Sequence, residues 1–498
     1  MRSLHRGQYA SISNVEKRLR KSLCRMRACV VLLVACSDPS SADQIDDYIK
    51  ARMAKENIPG VVLAVVKDGK VERLGAYGYA NVELKAPATV DSVFEIGSIT
   101  KSFTATAVMM LVAEGRIGLD QKIGSYLLDL PDAWGTITIR QLLSHTSGIK
   151  DYVTNTVRLI RDVREPRDTL KIVVSAPSQF SPGTRAQYSS TNYVLLGLLI
   201  EKVSGKSYSE FLSERIFQPL GMTHTRINDP DAVIPGRVQG YQWKAGMLWN
   251  QPAITEAAAF SAGALVSTVG DLARFDEALY TDRLLKRDLR EQMWAPAKLA
   301  DGSSPGVIMF AAYGLGWGLD EHAGHRCVWH GGKTAGFTGV FQRFPEDRLT
   351  VIVLTNLVSG SPDRLAFAAA AITNPALSLF APDAISPQRD GQPDLTQRLR
   401  AYLVDFIAND GKDVAIMTPE LIKDIRPNER ADQAFKIKDV RSFTFVAGED
   451  VSRKKMSRIG AAVTEVRYCR LINPQGTFLF TFWMTADGKV ADWIGVKE

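Results

Sequence analysis

The stretch FEIGSITKSFTATAVMMLVAEG, residues 94–115, decides the interpretation of this chain. A short loop enters an almost wholly apolar segment, which predicts a helix from Ser102 to Glu114 that ends at Gly115. Ser98 and Lys101 stand at the entry, and residues three apart share one face of a helix. The Lys101 amine can therefore reach the Ser98 hydroxyl. A serine hydroxyl becomes a strong nucleophile when such a neighbour takes its proton.

Two further motifs follow along the chain. Tyr188-Ser189-Ser190 comes after a Pro-Gly turn and precedes a helix predicted to begin near Tyr193. His330-Gly331-Gly332 lies at the end of a strand predicted in the second half of the chain. The Ser98 and Lys101 pair alone is a weak signal, because a serine can simply cap a helix. Three motifs in this order are much more specific.

Together these motifs resemble those of the serine β-lactamase and penicillin-binding-protein superfamily, in particular its class C β-lactamase, D,D-peptidase and esterase branch. The phrases LLSHTSG at 142–148, PLGM at 219–222 and YGLGW at 313–317 are similar to others of that branch. The resemblance covers roughly Asp43 to Asn374. It implies an α/β (α+β) β-lactamase-like fold, in which helices flank an antiparallel sheet and a mainly helical domain is inserted.

The resemblance also implies roles for the motif residues. Ser98 would attack a carbonyl and form an acyl-enzyme, while Lys101 and Tyr188 would share the proton transfers. The backbone N–H groups of Ser98 and Lys333 would form the oxyanion hole. The substrate-binding positions implied in this way are Ser190, His330, Gly332 and Lys333. No cofactor and no metal is implied.

Two positions depart from the pattern of the branch. Ser190 stands where asparagine is usual, which predicts a weaker grip on a substrate amide and on Lys101. His330 replaces the lysine of true class C β-lactamases, so a permanent positive charge becomes pH-dependent or is lost. Both departures favour a peptidase or an esterase over a dedicated β-lactamase.

Other candidate sites carry less weight. His145 and Ser147 are near neighbours in a stretch that is structural in the resembled family. The pattern Gly-x-Ser-x-Gly around Ser304 lacks the preceding strand that a nucleophile elbow requires. His322 and His325 have no cluster of Cys, His or carboxylate residues to complete a metal site.

Composition and charge divide the chain into four predicted parts. These are a leader at 1–36, a hydrolase domain at 43–380, a Pro- and Asp-rich linker at 381–394, and a small α+β domain at 395–498. Eight basic residues and one acid in 1–35 account for the whole formal charge of +7, so the remainder is neutral and no nucleic-acid partner is expected.

The leader has the order of a secretory signal, with a basic stretch followed by the short apolar run ACVVLLVA at 28–35. The run ends at Cys36 in a pattern that resembles a bacterial lipobox, which predicts lipidation and membrane anchoring. A rival cleavage site follows Ala42 and would leave Asp43 as the first residue. Either cut predicts an exported protein, periplasmic or lipid-anchored.

The expected function is therefore that of an exported serine hydrolase. Its substrates would be D-amino-acid peptides, small esters or β-lactams, cleaved through an acyl-enzyme on Ser98. The alternative is a catalytically weak protein of the same fold that recognises penicillin or binds a partner. The substrate would be a small molecule or a peptide, and the oligomeric state is left open.

Overall fold

The computed structural model describes residues 41–153, 163–251, 255–307, 312–322, 324–381, 388–408, 415–424, 439–454, 457–458 and 461–497. The leader and Cys36 lie outside these residues, so export and lipidation stay predictions. Within the described residues no helix is both long and apolar enough to cross a membrane.

The strands of the chain are β1 Gly60–Lys67, β2 Lys70–Asn81, β3 Ala86–Pro87, β4 Phe94–Glu95, β5 Arg226–Ile227, β6 Tyr241–Lys244, β7 Met247–Asn250, β8 Leu265–Ser267, β9 Ala312–Tyr313, β10 Gly318–His322, β11 His325–Lys333, β12 Thr338–Phe344, β13 Leu349–Thr355, β14 Ser442–Asp450, β15 Ser457–Arg458, β16 Ala461–Ala462, β17 Glu465–Asn473, β18 Gly476–Met484 and β19 Val490–Lys497. The helices are α1 Ser41–Glu56, α2 Thr100–Ala113, α3 Asp132–Gly135, α4 Ile139–Leu143, α5 Pro166–Lys171, α6 Ser190–Ser204, α7 Tyr208–Leu212, α8 Gln218–Leu220, α9 Glu256–Gly263, α10 Val269–Ala278, α11 Arg287–Met293, α12 Pro362–Thr373, α13 Pro393–Ala408 and α14 Pro419–Asp424.

The main sheet joins the two ends of the hydrolase part of the chain. Its strand order is β3-β2-β1-β13-β12-β11-β10-β9, and the early strand β1 pairs with the late strand β13, so that Val61 lies opposite Thr355. Neighbouring strands run antiparallel. The expectation of one antiparallel sheet built from early and late strands is confirmed.

Both faces of this sheet are covered, because β1 (GVVLAVVK) is apolar at every position except its last. Its alternate side chains enter two separate cores. Val61, Leu63 and Val65 pack on the side of α1 and α12, whereas Val62, Ala64 and Val66 join the larger core around α2 and α6. Such a strand reads as a continuous apolar run rather than as an alternating one.

The segment between the early and late strands is mainly helical, as predicted. Helix α2 is buried over almost its whole circumference, which fits a helix that is apolar on all sides. Helix α6 packs against α2 and ends at Gly205, whose φ of 75° gives the usual left-handed end of a helix. These two helices carry the first two motifs to the sheet face on which the third motif lies.

The C-terminal segment has a core of its own. Helix α13 packs on a four-stranded antiparallel sheet of order β14-β17-β18-β19, through Leu399, Leu403, Phe480 and Phe482. The helix begins at Pro393, two residues before the predicted start of the domain at 395. The last strand, β19, was not predicted from the sequence. Residues from Ser41 onward cluster as one compact unit, so the domain boundary at 381–394 remains a prediction.

Candidate active site

The first motif lies in a tight turn at the entry to α2. Residues Gly97–Ile99 form one turn of 3-10 helix, and α2 begins at Thr100, two residues before the predicted start. Gly97 has a φ of 51°, and a Cβ there would lie 2.6 Å from the Lys333 backbone nitrogen. Glycine at 97 therefore lets the turn that carries Ser98 and the end of β11 come into contact.

The third motif packs against the same turn. A Cβ at Gly332 would lie 1.9 Å from the carbonyl oxygen of Ile96, so a larger residue has no room there. This contact brings the backbone of Lys333 next to that of Gly97 and Ser98. The two N–H groups expected to form an oxyanion hole thus belong to neighbouring backbone segments. Motif residues 234 positions apart in sequence meet at one point of the fold.

The Lys101 side chain is fully buried and makes three polar contacts. Its Nζ lies 3.0 Å from Ser98 Oγ, 2.8 Å from the carbonyl oxygen of Ala262 and 3.5 Å from Ser190 Oγ. A neutral amine has two N–H donors and one lone pair. If its donors are directed to Ala262 and Ser190, the lone pair is left for the Ser98 hydroxyl. This geometry can accept a proton from Ser98.

Burial lowers the pKa of Lys101 to about 7, and the charge of Asp151 opposes that decrease. A large fraction of the amine is therefore unprotonated near neutral pH, which a general base requires. Ser98 itself is only partly buried, so its hydroxyl is open to a substrate while its partner is shielded from water. The i, i+3 relation predicted from the sequence is the one that the structure has.

Tyr188 completes the group around Ser98. Its hydroxyl hydrogen-bonds to the Ser98 side chain, and its ring centroid lies 4.9 Å from Lys101 Nζ. The ring has a partly exposed edge, but the crowding around its phenol is sufficient for desolvation to raise the pKa well above 10. The Tyr188 phenol therefore stays protonated at neutral pH and can pass a proton rather than act as a standing anion.

Ser190 lies at the start of α6, three residues before the predicted start of that helix. Its side chain is buried, and its Oγ reaches within 3.5 Å of Lys101 Nζ. The contact with Lys101 is thus kept, at the outer limit of a hydrogen bond. A hydroxyl in place of an amide has only one donor to offer.

His330 is fixed as a neutral imidazole. It is 1% exposed, and burial lowers its pKa to about 3. Its Nε2 lies 2.9 Å from the Tyr313 hydroxyl, and its Nδ1 lies 2.6 Å from the carbonyl oxygen of Gly331. Nδ1 therefore carries the proton and Nε2 accepts one. The alternative of a cationic His330 that grips a carboxylate does not fit this environment.

His145 was set aside in the sequence analysis but belongs to the site. Its ring centroid lies 4.3 Å from that of Tyr188, and its Nδ1 accepts a hydrogen bond of 3.2 Å from the Ser189 backbone N–H. The residue is buried and has a φ of 59°, which turns its side chain out of the direction that its neighbours take. His145 therefore supports the second motif from behind. The phrase LLSHTSG was the available signal.

Asp151 was also missed. Its Oδ1 accepts backbone hydrogen bonds from Ser190 at 3.0 Å and from Val153 at 3.1 Å. A lone aspartate three residues after the phrase LLSHTSG carries no motif of its own. Only the fold shows that it lies one residue away from Lys101.

The other sequence candidates lie in structural contacts. Ser147 donates a hydrogen bond to Asn192 rather than to His145, at 2.7 Å. Ser304 lies in an irregular stretch with no strand before it and no helix after it, as expected. His325 pairs with Asp347. Within the described residues no group of three or more potential ligands could hold a metal ion.

Comparison with known proteins agrees with this geometry. The family model for beta-lactamase matches residues 45–374. Penicillin-binding protein 4* of Bacillus subtilis is 30% identical over 324 residues, which are 61% of this chain and 69% of that protein. D-amino acid amidase from Ochrobactrum anthropi is 28% identical with a TM-score of 0.58, covering 68% of this chain and 98% of that one.

The octameric penicillin-binding protein homologue from Pyrococcus abyssi has a TM-score of 0.60 and covers 92% of this chain and 96% of that one. At 24% identity it shows a common fold that extends over the C-terminal segment as well. The family model spans more than half of the chain, and all three of its characteristic motifs converge on Ser98. The chain therefore belongs to the beta-lactamase family of serine hydrolases.

Proposed function

We propose that this protein hydrolyses amides or esters whose acyl part is a D-amino acid, through an acyl-enzyme on Ser98. In this reaction Ser98 Oγ bonds to the substrate carbonyl carbon while Lys101 takes the hydroxyl proton. The proton passes by way of Lys101 and the Tyr188 phenol to the leaving amine or alcohol. Water then attacks the acyl group, again with Lys101 as base, and restores Ser98.

The developing negative charge on the carbonyl oxygen needs two donors in place before the reaction starts. The backbone N–H groups of Ser98 and Lys333 are proposed for this role, because Gly97 and Gly332 bring their segments together. Such groups cost no reorganisation at the moment of reaction. A side chain at position 97 or 332 would separate the two segments.

The neutral state of His330 is the observation that favours this substrate class. A D,D-carboxypeptidase substrate or a penicillin carries a carboxylate, and the strand that holds the third motif offers it no cation at His330. The Lys333 side chain is exposed and, by strand alternation, projects from the face opposite to His330 and Gly332. Substrates without a carboxylate lose nothing by this arrangement. The similarity to a D-amino acid amidase agrees with the proposal.

A substrate panel tests the proposal. We expect hydrolysis of D-phenylalanine amide and of p-nitrophenyl esters. A peptide ending in D-alanyl-D-alanine and the β-lactam nitrocefin should be slower by a factor on the order of ten or more, because a charge-assisted hydrogen bond contributes about 1.5–3 kcal/mol. L-phenylalanine amide is the matched control for stereochemistry. A clear preference for the carboxylate-ended peptide would refute this substrate class, and labelling without turnover would favour the binding-protein alternative.

We also propose that the protein is exported and anchored through a lipid on Cys36. Helix α1 begins at Ser41, so a cut before Cys36 leaves it whole, whereas a cut after Ala42 removes its first two residues. Bacterial expression should give a membrane-associated form that begins at lipidated Cys36, and Cys36→Ala should release it from processing. A soluble mature form that begins at Asp43, identified by mass spectrometry, would contradict lipidation and keep export.

A further inference from the structure

A buried lysine that must be unprotonated to act, yet protonated to return its proton, needs a balanced environment. The groups that face Lys101 are Ser98 from its own turn, Tyr188, Ser190 and Tyr193 from the second motif and α6, the carbonyl oxygen of Ala262 from α9, His330 from β11, and His145 and Asp151 from the loop after α4. Burial keeps both histidines neutral and lowers their pKa. Among the described residues, Asp151 is the acid whose charge acts on Lys101.

Asp151 is held against the second motif by a set of short contacts. Its Oδ1 accepts the Ser190 N–H at 3.0 Å, and the Ser190 Oγ lies 3.5 Å from Lys101 Nζ. On either side of Asp151, the Lys150 carbonyl accepts from Thr191 Oγ1 at 2.8 Å and the Tyr152 N–H donates to the same oxygen at 3.1 Å. Three consecutive loop residues are thus fastened to the first turn of α6. The carboxylate cannot move without moving Ser190.

The charged form of this carboxylate is favoured where it lies. Burial raises the pKa of Asp151, while Lys101 and the backbone donors of Val153 and Ser190 oppose that rise. The carboxylate also lies at the N-terminus of the 15-residue helix α6, where the peptide dipoles favour negative charge.

We propose that Asp151 is a positioning residue that holds Ser190 and supplies the negative charge that balances Lys101 between its protonated and neutral forms. The inference rests on the proposed role of Lys101 as base. Without this charge, the buried lysine has a reason to lose its proton and none to regain it. It would be neutral over a wider pH range but a weaker base.

The variant Asp151→Asn isolates the charge from the hydrogen bonds, because the asparagine oxygen can still accept from Ser190 and Val153. The readout is the rate of covalent labelling by a fluorophosphonate as a function of pH, which needs acylation but no knowledge of the natural substrate. We expect the acid limb of this profile to move to lower pH by on the order of one to two units. The plateau rate should decrease, since a less basic lysine withdraws the proton less strongly.

Two further variants keep the test interpretable. Asp151→Glu retains the charge and should return the acid limb to the wild-type pH, even if the plateau rate is lower. Asp129→Asn removes an exposed carboxylate that pairs with Arg167 and should leave the profile unchanged. If Asp151→Asn does not fold while Asp151→Glu folds and keeps the wild-type limb, the charge requirement is still supported.

An acid limb that stays at the wild-type pH in Asp151→Asn would overturn the proposal, whether or not the rate is lost. The same holds if the only effect is a raised KM for substrates with a free α-ammonium group, because the carboxylate would then bind substrate. Labelling of the wild type without hydrolysis of any D-amino-acid amide would refute the proposed substrate class alone. The pH comparison would still stand, so the two failures are distinguishable.

Discussion

Replacing Ser98 by alanine will abolish hydrolysis and covalent labelling together. Ser98 Oγ is the hydroxyl that lies 3.0 Å from Lys101 Nζ and is bonded to Tyr188, so its removal leaves the base with no nucleophile to activate. Groups that act as a unit fail as a unit, and we expect a loss on the order of 10⁴-fold or more. Esterase rates and fluorophosphonate labelling measure the two effects.

Ser304→Ala is the matched control, because Ser304 is the other serine in a pattern known from hydrolases. It lies in an irregular loop and should leave both readouts at wild-type values. An active Ser98→Ala protein together with an inactive Ser304→Ala protein would mean that the chemistry is not that of the beta-lactamase family. Circular dichroism of both variants would establish that each is folded.

Lys101→Met will cost nearly as much as the loss of the serine. Methionine fills a similar buried volume without an amine, so the fold is kept while Ser98 loses its proton acceptor. We expect a loss on the order of 10⁴-fold in kcat/KM. In the wild type, activity should rise with pH through about 7, because the unprotonated form of Lys101 is the active one.

Tyr188→Phe distinguishes the two candidate bases. Because desolvation raises the pKa of the phenol well above 10, Tyr188 should act as a relay, and its loss should cost on the order of 10²-fold. The acid limb near pH 7 should remain in this variant. If Tyr188→Phe lost as much activity as Lys101→Met, or lost the acid limb, the tyrosine would have to be the principal base.

The sequence predicted those parts of the site that rest on local spacing. Ser98 and Lys101 meet because they are three residues apart on one helical path, and this relation holds although the helix begins two residues early. The strands β1 and β2 were recognisable from their β-branched residues and the Asp68-Gly69 turn between them. The two-residue strands β4 and β9, by contrast, are defined by their partners alone and leave no pattern in the sequence.

The residues that were missed act through contacts between distant segments. His145 meets the Tyr188 ring across 43 positions, and Asp151 acts on Lys101 across 50. No periodicity connects such pairs. The charge of His330 was left open for a related reason, because burial under Tyr313 decides it and a sequence does not show which side chain covers which.

The pairing of β1 with β13 has a consequence for how the molecule is made. A chain leaving the ribosome presents β1 almost 300 residues before the partner strand that separates its two cores. Contacts so far apart in sequence form slowly, and the unpaired apolar strand stays exposed in the meantime. The segments of Ser98 and Lys333 meet only when the late strands arrive. A half-synthesised chain therefore carries the serine and the lysine side by side but no finished hole for an oxyanion, and its hydrolytic chemistry begins only once the sheet has closed.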